Sequence, residues 1–174
     1  IPTLNGGVHF EQLAAQLKRQ VLDFELEIVV IDSGSRDQTL NVAKKMGARI
    51  IQVEPRQFNH GATRNQAIKA TNGEVIVLLT QDAVPQDHFL LWSLTRPFAD
   101  PSVAGSFARQ VPWPSADLLT KRNLNNWITG RTTSQVNWIQ DRRAYDALSP
   151  MARQAFCTFD NVCSAIRRSV WEKY

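Results

Sequence analysis

The sequence predicts a single α/β domain with a Rossmann-like architecture, in which a mostly parallel sheet carries helices on both faces. Two apolar runs, residues 27–32 and 75–79, each stop abruptly at polar residues, which is typical of strands buried on both faces. Segments with helical spacing alternate with such runs, as in successive βαβ units. The 174 residues, 43% of them hydrophobic, suffice for one core and hardly for two.

The individual helices and strands are predicted from the spacing of apolar residues and from the polar segments between them. The first helix is indicated by apolar residues at helical intervals, namely Phe10, Leu13, Ala14, Leu17 and Val21. Strands are predicted at 27–32, 48–53, 75–79, 103–110 and 156–162, and further helices at 40–46, 63–70, 87–96 and 165–173. Residues 115–146 are polar and rich in Asn and Arg, so we expect helical pieces and loops that cover the ligand edge of the sheet.

Composition narrows the class of protein. The net charge of +4 suits a protein that binds phosphorylated ligands or an anionic membrane surface, whereas no basic tail indicates nucleic-acid binding. The two cysteines, Cys157 and Cys163, have no zinc-site spacing, and we expect reduced, semi-buried thiols in a cytosolic protein. No signal peptide or membrane-spanning run is visible. The first residue is not Met and the last ones are typical of a helix, so we expect a fragment of a larger domain.

Polar side chains fall at the ends of three predicted strands, where open α/β sheets hold their ligands. Thr3 and Asn5 follow the first strand, Asp32 closes the second, and residues 80–82 follow the run at 75–79. Asp82 is the strongest candidate, because a carboxylate at a strand end can bind a hard cation such as Mg²⁺ and, through it, phosphate oxygens. The alternative is that Asp32 and Asp82 are only turn and cap residues.

Two common phosphate-binding motifs are absent. No G-x-G-x-x-G follows the first strand, and no G-x-x-x-x-G-K-[ST] occurs anywhere. A phosphate would therefore be held by a metal and side chains.

Residues 59–65, Asn-His-Gly-Ala-Thr-Arg-Asn, form another concentration of polar groups. Arg64 could contact a phosphate or a base, and His60 could be a base, a ligand or a structural residue. Trp113, Trp127 and Trp138 could stack on sugar rings or anchor the core.

Taken together, these motifs resemble the inverting nucleotide-sugar glycosyltransferases of family 2, which have the GT-A fold. The first-strand end at residues 1–5, the I-D-S-G-S-R-D-Q-T segment at 31–39, T-R-N at 63–65 and the T-Q-D-A segment at 80–83 carry the resemblance. Within the family, F-N-H-G-A-T-R-N at 58–65, R-Q-V-P at 109–112 and N-V-C-S-A-I-R-R at 161–168 are most similar to bacterial rhamnosyltransferases of O-antigen and capsule synthesis.

The resemblance implies roles for particular residues. Thr3, Asn5, Asp32 and Arg64 would surround the nucleoside base, with Asp32 contacting base or ribose. Gln81 and Asp82 would lie at ribose and diphosphate, Asp82 binding Mg²⁺ or Mn²⁺. Gln110 and Asn161 would face the sugar or the acceptor. Residues 1–110 would form the donor-binding half and residues 111–174 the start of a truncated acceptor-side region.

The sequence departs from the family pattern in two respects. Thr80 replaces the first Asp of the D-x-D motif, so one carboxylate of the pair remains. The general base, an acidic residue in a later family motif, is expected beyond Tyr174, so no catalytic residue is assigned here.

The expected function is the transfer of a sugar, rhamnose from dTDP-rhamnose, with inversion onto a glycan or lipid-linked glycan at the cell surface. We expect a cytoplasmic enzyme at the inner face of the membrane, in peripheral contact with it. Two alternatives stay open. One is a binding module of the same fold that holds a nucleotide-sugar without turnover. The other is a nucleotidyltransferase, which the absence of a basic residue beside Gly6 and Gly7 disfavours.

Overall fold

The computed structural model describes all residues from 1 to 174, and they form two compact units. The first comprises residues 1–106 and 161–174, and the second comprises residues 107–160. None of the helices has both the length and the apolar character that a membrane span requires.

The first unit contains most of the regular structure. Its first three strands, β1 (Pro2–Thr3), β2 (Val29–Asp32) and β3 (Arg49–Gln52), form a parallel sheet in the order β1-β2-β3. A second sheet has the order β4-β6-β5, with β4 (Val75–Leu79), β5 (Gly105–Phe107) and β6 (Cys163–Arg167). The helices are α1 (Gly7–Leu17), α2 (Thr39–Lys45), α3 (His60–Lys69), α4 (Leu90–Thr95) and α8 (Arg168–Lys173), and 3₁₀ turns occur at Pro55–Gln57 and Arg96–Ala99.

Burial explains why these segments take these forms. All four residues of β2 are buried, as the uninterrupted apolar run predicts. Helix α1 buries Phe10 and Leu13 completely, and Ala14 and Leu17 nearly so, which is the apolar stripe expected at helical spacing. The stripe ends there, because α1 stops at Leu17 and Val21 is half-exposed.

The carboxyl-terminal part of the chain, from residue 156 onwards, differs from the sequence prediction. The strand predicted at 156–162 is wrong, since a helix, Pro150–Cys157, covers its first two residues and strand β6 begins only at Cys163. Strand β6 then runs antiparallel to β4, with Leu79 opposite Cys163 and Val75 opposite Arg167. The helix predicted from Ala165 starts only at Arg168 for the same reason: pairing with β4 holds residues 163–167 extended.

The second unit consists of short helices that bury no residue of their own. They are α5 (Leu118–Asn126), α6 (Arg142–Asp146) and α7 (Pro150–Cys157), with a 3₁₀ turn at Ile128–Gly130. Each helix begins at a side-chain cap: Asp117, Asp141 and Ser149 accept hydrogen bonds from the backbone N–H groups of Thr120, Ala144 and Ala152. Such caps give a hydrogen-bond partner to backbone N–H groups that have none within the helix.

Candidate functional site

The carboxyl ends of β1 and β2 meet at a buried carboxylate. Thr3 is paired with Asp32 in the parallel register, and its hydroxyl donates to Asp32 Oδ2 at 2.8 Å. The other oxygen, Oδ1, accepts from the backbone N–H groups of Gly34 and Ser35 at 2.9 and 2.8 Å, and the Ser35 hydroxyl also donates to Oδ2. Burial raises the pKa of Asp32, but the hydrogen bonds from Ser35, Thr3 and Gly34 outweigh it and hold the pKa below its ordinary value.

This geometry leaves Asp32 no free acceptor position. Its side chain is 0% exposed, and both oxygens already accept two hydrogen bonds. The base or ribose contact predicted from the sequence would require one of these hydrogen bonds to open. As the structure stands, Asp32 fixes the shape of the loop that follows β2.

The loop after β1 is attached to the loop after β2 by four further hydrogen bonds. Asn5 donates its backbone N–H to Ser35 Oγ at 2.8 Å, and its side-chain oxygen accepts from Arg36 N at 2.9 Å. The N–H groups of Gly6 and Gly7 donate to Thr39 Oγ1 and Asp37 Oδ2. Asn5 has a φ of 48°, a left-handed conformation that Asn tolerates better than most residues. The S-x-D-x-T pattern at 35–39 therefore serves the first loop as well as the start of α2.

The end of β4 presents two adjacent polar side chains with different roles. The amide of Gln81 pairs with the backbone of Leu4: Leu4 N–H donates to Oε1 at 2.9 Å, and Nε2 donates to the Leu4 carbonyl at 3.2 Å. Gln81 thus joins the end of β4 to the end of β1, a role that the sequence did not indicate. Asp82 is exposed, and its carboxylate makes no hydrogen bond or ion pair.

The donor set at this edge suits a divalent cation only in part. No group of three or more His, Cys, Asp and Glu side chains lies close enough to hold a metal. Asp82 is therefore a single, accessible carboxylate. Mg²⁺ and its analogues are commonly held by one or two carboxylates together with substrate phosphates and water. The residues fit a cation shared between Asp82 and a bound diphosphate, and they do not fit a site made by protein alone.

Arg64 lies in α3, which begins at a well-formed cap. Asn59 Oδ1 accepts from the N–H groups of Gly61 and Ala62 at 3.1 and 3.0 Å. The guanidinium Nη2 of Arg64 donates to the backbone carbonyl of Asn161 at 3.2 Å, whereas its Nε is buried without a partner. A buried N–H group with no acceptor is uncommon, and a ligand is one way to supply the acceptor.

Gln110 belongs to the second unit. Its backbone N–H donates to the Thr129 carbonyl at 2.8 Å, and its side-chain amide donates to Asp160 Oδ2. The neighbouring Arg109 donates through Nε to the Gly130 carbonyl at 3.1 Å. The hydrogen bond between Gln110 and Asp160, which are fifty positions apart, therefore joins the two ends of this unit.

The tryptophans and cysteines complete the predicted candidates. Trp113, Trp127 and Trp138 are 41%, 51% and 72% exposed, so they are not core anchors, and stacking on sugar stays a prediction. Both cysteines are free thiols; Cys163 is buried, but Cys157 is exposed rather than semi-buried.

Two curated relatives are similar in sequence to most of this chain. The chain is 36% identical over 129 residues to the O-antigen chain rhamnosyltransferase RfbN of Salmonella typhimurium, and 34% identical to WbaN of Salmonella anatum. Each alignment covers 72% of this chain and 41% of the relative. The aligned part of this chain thus corresponds to about two-fifths of each relative.

Solved structures share the fold. A mannosyltransferase from Pyrobaculum calidifontis, in complex with GDP-Man and Mn²⁺, superposes with a TM-score of 0.61 at 21% identity, over 99% of this chain and 44% of that one. Glucosyl-3-phosphoglycerate synthase from Mycobacterium tuberculosis, in complex with UDP, gives a TM-score of 0.61 at 20% identity, over 97% and 55%. Both are glycosyltransferases of the GT-A fold, which confirms the predicted fold class.

The family assignment rests on the whole chain. The model of the family described as Glycosyl transferase family 2 matches residues 1–174, from the first strand to the last helix. The chain therefore belongs to glycosyl transferase family 2, as the motifs at the strand ends predict.

Proposed function

We propose that this chain forms the donor-binding part of an enzyme that transfers rhamnose from dTDP-rhamnose, with inversion, to a cell-surface glycan or its lipid-linked precursor. The identity of 36% to an O-antigen chain rhamnosyltransferase is the observation that carries the choice of sugar. The proposed place of action is the cytoplasmic face of the membrane, where nucleotide-sugars are available. The net charge of +4 suits both the anionic sugar donor and an anionic surface.

The proposed site is the edge formed by the ends of β1, β2 and β4. Asp82 would hold a divalent cation jointly with the diphosphate, because it is the exposed and unpaired carboxylate at this edge. When bound, that cation stabilises the negative charge of the departing nucleoside diphosphate. The guanidinium group of Arg64, which lies beside the backbone of Asn161, would donate to an acceptor atom of the nucleotide. Asp32 and Gln81 would act as positioning residues through the loops that they join.

Inversion defines the remaining chemistry. An acceptor hydroxyl attacks the anomeric carbon, the bond from that carbon to the diphosphate oxygen breaks, and a carboxylate takes the hydroxyl proton. No residue of this chain is assigned as that carboxylate. The chain's own contribution is to bind and orient the nucleotide-sugar, which lowers the entropy cost of the reaction.

Nucleotide-dependent thermal stability tests this proposal. We would measure the melting temperature with dTDP, UDP and GDP, each with and without Mn²⁺, since a ligand of the folded state raises it with occupancy. The expected result is the largest rise with dTDP and Mn²⁺. In Asp82→Asn, calorimetry should show dTDP affinity about tenfold lower with Mn²⁺ and unchanged without it. Asp23→Asn, which also removes one exposed carboxylate, is the matched control and should bind as the parent does.

Two outcomes would contradict the proposal. If Asp82→Asn binds dTDP in the presence of Mn²⁺ as tightly as the parent does, Asp82 does not hold the metal. A larger rise in melting temperature with UDP or GDP than with dTDP would contradict dTDP-rhamnose as the sugar donor. Measuring rhamnose transfer from dTDP-rhamnose by the full-length protein separates an enzyme from a binding module, because only the enzyme releases dTDP.

A further inference from the structure

The second unit, residues 107–160, exposes a large share of the chain's apolar side chains. It contains 54 of the 174 residues, yet nine of the sixteen large apolar side chains that are exposed belong to it. Three of the nine are tryptophans. Single exposed apolar residues are common on folded proteins, whereas a concentration of them marks a surface that contacts another molecule.

The same unit carries most of the net positive charge. Its seven Lys and Arg residues outnumber its four acidic residues, which gives a net charge of +3 out of the +4 of the whole chain. The first unit has thirteen basic and twelve acidic residues and is nearly neutral. A unit that is both apolar and basic on its surface is complementary to a bilayer with anionic lipids, which attracts Lys and Arg and accepts apolar side chains below its headgroups.

Helix α5 has the most exposed leucines of the chain in its first turn. Leu118 is 84% exposed and Leu119 is 66% exposed. The half-buried residues of the helix, Lys121 and Leu124, are three positions apart and lie together on another side of it. Helix α5 therefore packs on its own unit without the two leucines.

Basic and aromatic side chains accompany the two leucines. Arg122 follows them by four and three positions, so the three side chains share one face of α5, and Arg122 is exposed without a hydrogen bond or ion pair. Lys121 Nζ donates to the Pro114 carbonyl at 2.7 Å, which holds the segment around Trp113 against α5. Trp113 is 41% exposed. We refer to Trp113, the two leucines and Arg122 as the α5 surface.

We propose that the α5 surface docks this protein on a bilayer that contains anionic lipids. Leu118, Leu119 and the ring of Trp113 enter the boundary between headgroups and acyl chains, where Trp is favoured, and Arg122 donates to lipid phosphates. The α5 surface thereby gives the proposed function, on which this inference rests, its place at the membrane. A lipid-linked acceptor is met at that same boundary.

The chemistry of the α5 surface favours a bilayer over a protein partner. The buried centre of a protein interface is depleted of charged residues, whereas here the position of Arg122 falls between those of Leu118 and Leu119 around the helix. Helices that lie on membranes combine Leu and Trp with Lys and Arg in this way. A second copy of the chain would bring two units of charge +3 together, and like charges repel.

Sedimentation with vesicles tests the apolar part of this proposal. The parent chain should bind vesicles of phosphatidylcholine and phosphatidylglycerol, and Leu118→Gln/Leu119→Gln should bind them about tenfold more weakly, because two apolar side chains no longer enter the bilayer. Gln is a good helix former, so the melting temperature should stay that of the parent. Val8→Gln/Val21→Gln, which removes two exposed apolar side chains from the first unit, is the matched control and should bind as the parent does. Equal binding by the two variants would overturn the proposal.

The charge of Arg122 gives a second test. Arg122→Gln should lower the affinity for vesicles with phosphatidylglycerol by about fivefold and leave the affinity for pure phosphatidylcholine unchanged. Arg19→Gln, at an exposed position just after α1, is the matched control and should bind both kinds of vesicle as the parent does. A loss of the same size on both kinds of vesicle would contradict the contact between Arg122 and lipid phosphates.

Two further measurements address the other occupants of the α5 surface. If Leu118→Gln/Leu119→Gln leaves the vesicle binding of the full-length protein unchanged, the α5 surface does not dock it and the proposal is wrong. If sedimentation velocity shows a dimer of the parent that this variant abolishes, the α5 surface is an interface between copies and the proposal is again wrong.

The thermal response to dTDP and Mn²⁺ separates docking from the proposed function. The leucine variant should keep the response of the parent, because α5 holds none of the residues proposed to bind the nucleotide. A response to dTDP without any binding to vesicles would overturn the docking alone. Binding to vesicles without a response to dTDP would support the docking and overturn the choice of nucleotide-sugar alone.

Discussion

The side-chain amide of Gln81 pairs with the backbone of Leu4 as a neighbouring strand would. Leu4 N–H donates to Gln81 Oε1 at 2.9 Å, and Gln81 Nε2 donates to the Leu4 carbonyl at 3.2 Å, across 77 positions of sequence. Of the hydrogen bonds described, these two connect the end of β1 to the end of β4. They position Asp82, the next residue, relative to the loops that follow β1 and β2.

Gln81→Ala should therefore loosen the site without unfolding the chain. Leu4 is half-exposed, so water replaces part of what is lost, and the free energy of unfolding should fall by about 1 kcal/mol. Urea denaturation measures this loss. Gln86→Ala, at an exposed glutamine with no hydrogen bond in the turn that follows β4, is the control and should leave the free energy unchanged. Equal stability of the two variants would show that the Gln81–Leu4 pairing is not formed in solution.

Asp32→Asn should destabilise the chain and alter its response to acid. Replacing the carboxylate by an amide removes hydrogen-bond acceptor positions from a fully buried side chain. The free energy of unfolding should therefore fall by about 2 kcal/mol or more. In the parent, burial raises the pKa of Asp32, but the hydrogen bonds from Ser35, Thr3 and Gly34 outweigh burial and leave this pKa lower than in the unfolded chain. Its contribution is thus fully present above the unfolded value of about 4, and is lost as pH falls through the folded pKa.

The measurement is urea denaturation between pH 3 and 7. The difference in unfolding free energy between the parent and Asp32→Asn should be constant at the upper end of this range and shrink below about pH 4. Glu11→Gln, at an exposed position of α1 without a hydrogen bond, is the control for the loss of one negative charge. A difference that stays constant down to pH 3 would argue against an ionised, hydrogen-bonded Asp32.

Gly34→Ala should damage the loop that Asp32 organises. Gly34 has a φ of +102°, and an added Cβ would lie 3.1 Å from Pro55 Cγ. Such backbone strain costs about 1–3 kcal/mol. At Gly73 the nearest atom to an added Cβ is the Val75 carbonyl oxygen at 3.5 Å, so Gly73→Ala should stay within about 1 kcal/mol of the parent. Thermal denaturation of the two variants would contradict this prediction if both lost the same stability.

The sequence by itself determined the fold class and the family, and it predicted that the site lies at the strand ends. Uninterrupted apolar runs followed by Asp32 and by Gln81–Asp82 indicate buried strands with polar ends, because burial on both faces demands such runs. The apolar stripe of α1 belongs with these local signals. They depend on neighbours within about four positions, which the sequence shows directly.

Only the tertiary structure decided which side chains remain free to bind a ligand. Asp32 and Asp82 look alike in sequence, yet Asp32 is saturated by Thr3, Gly34 and Ser35 whereas Asp82 is unpaired. The same holds for residues 163–167, which pair with β4 although their sequence also suits a helix. The hydrogen bond from Thr3 to Asp32 and the pairing of β4 with β6 join residues 29 to about 90 positions apart, so no local pattern reveals them.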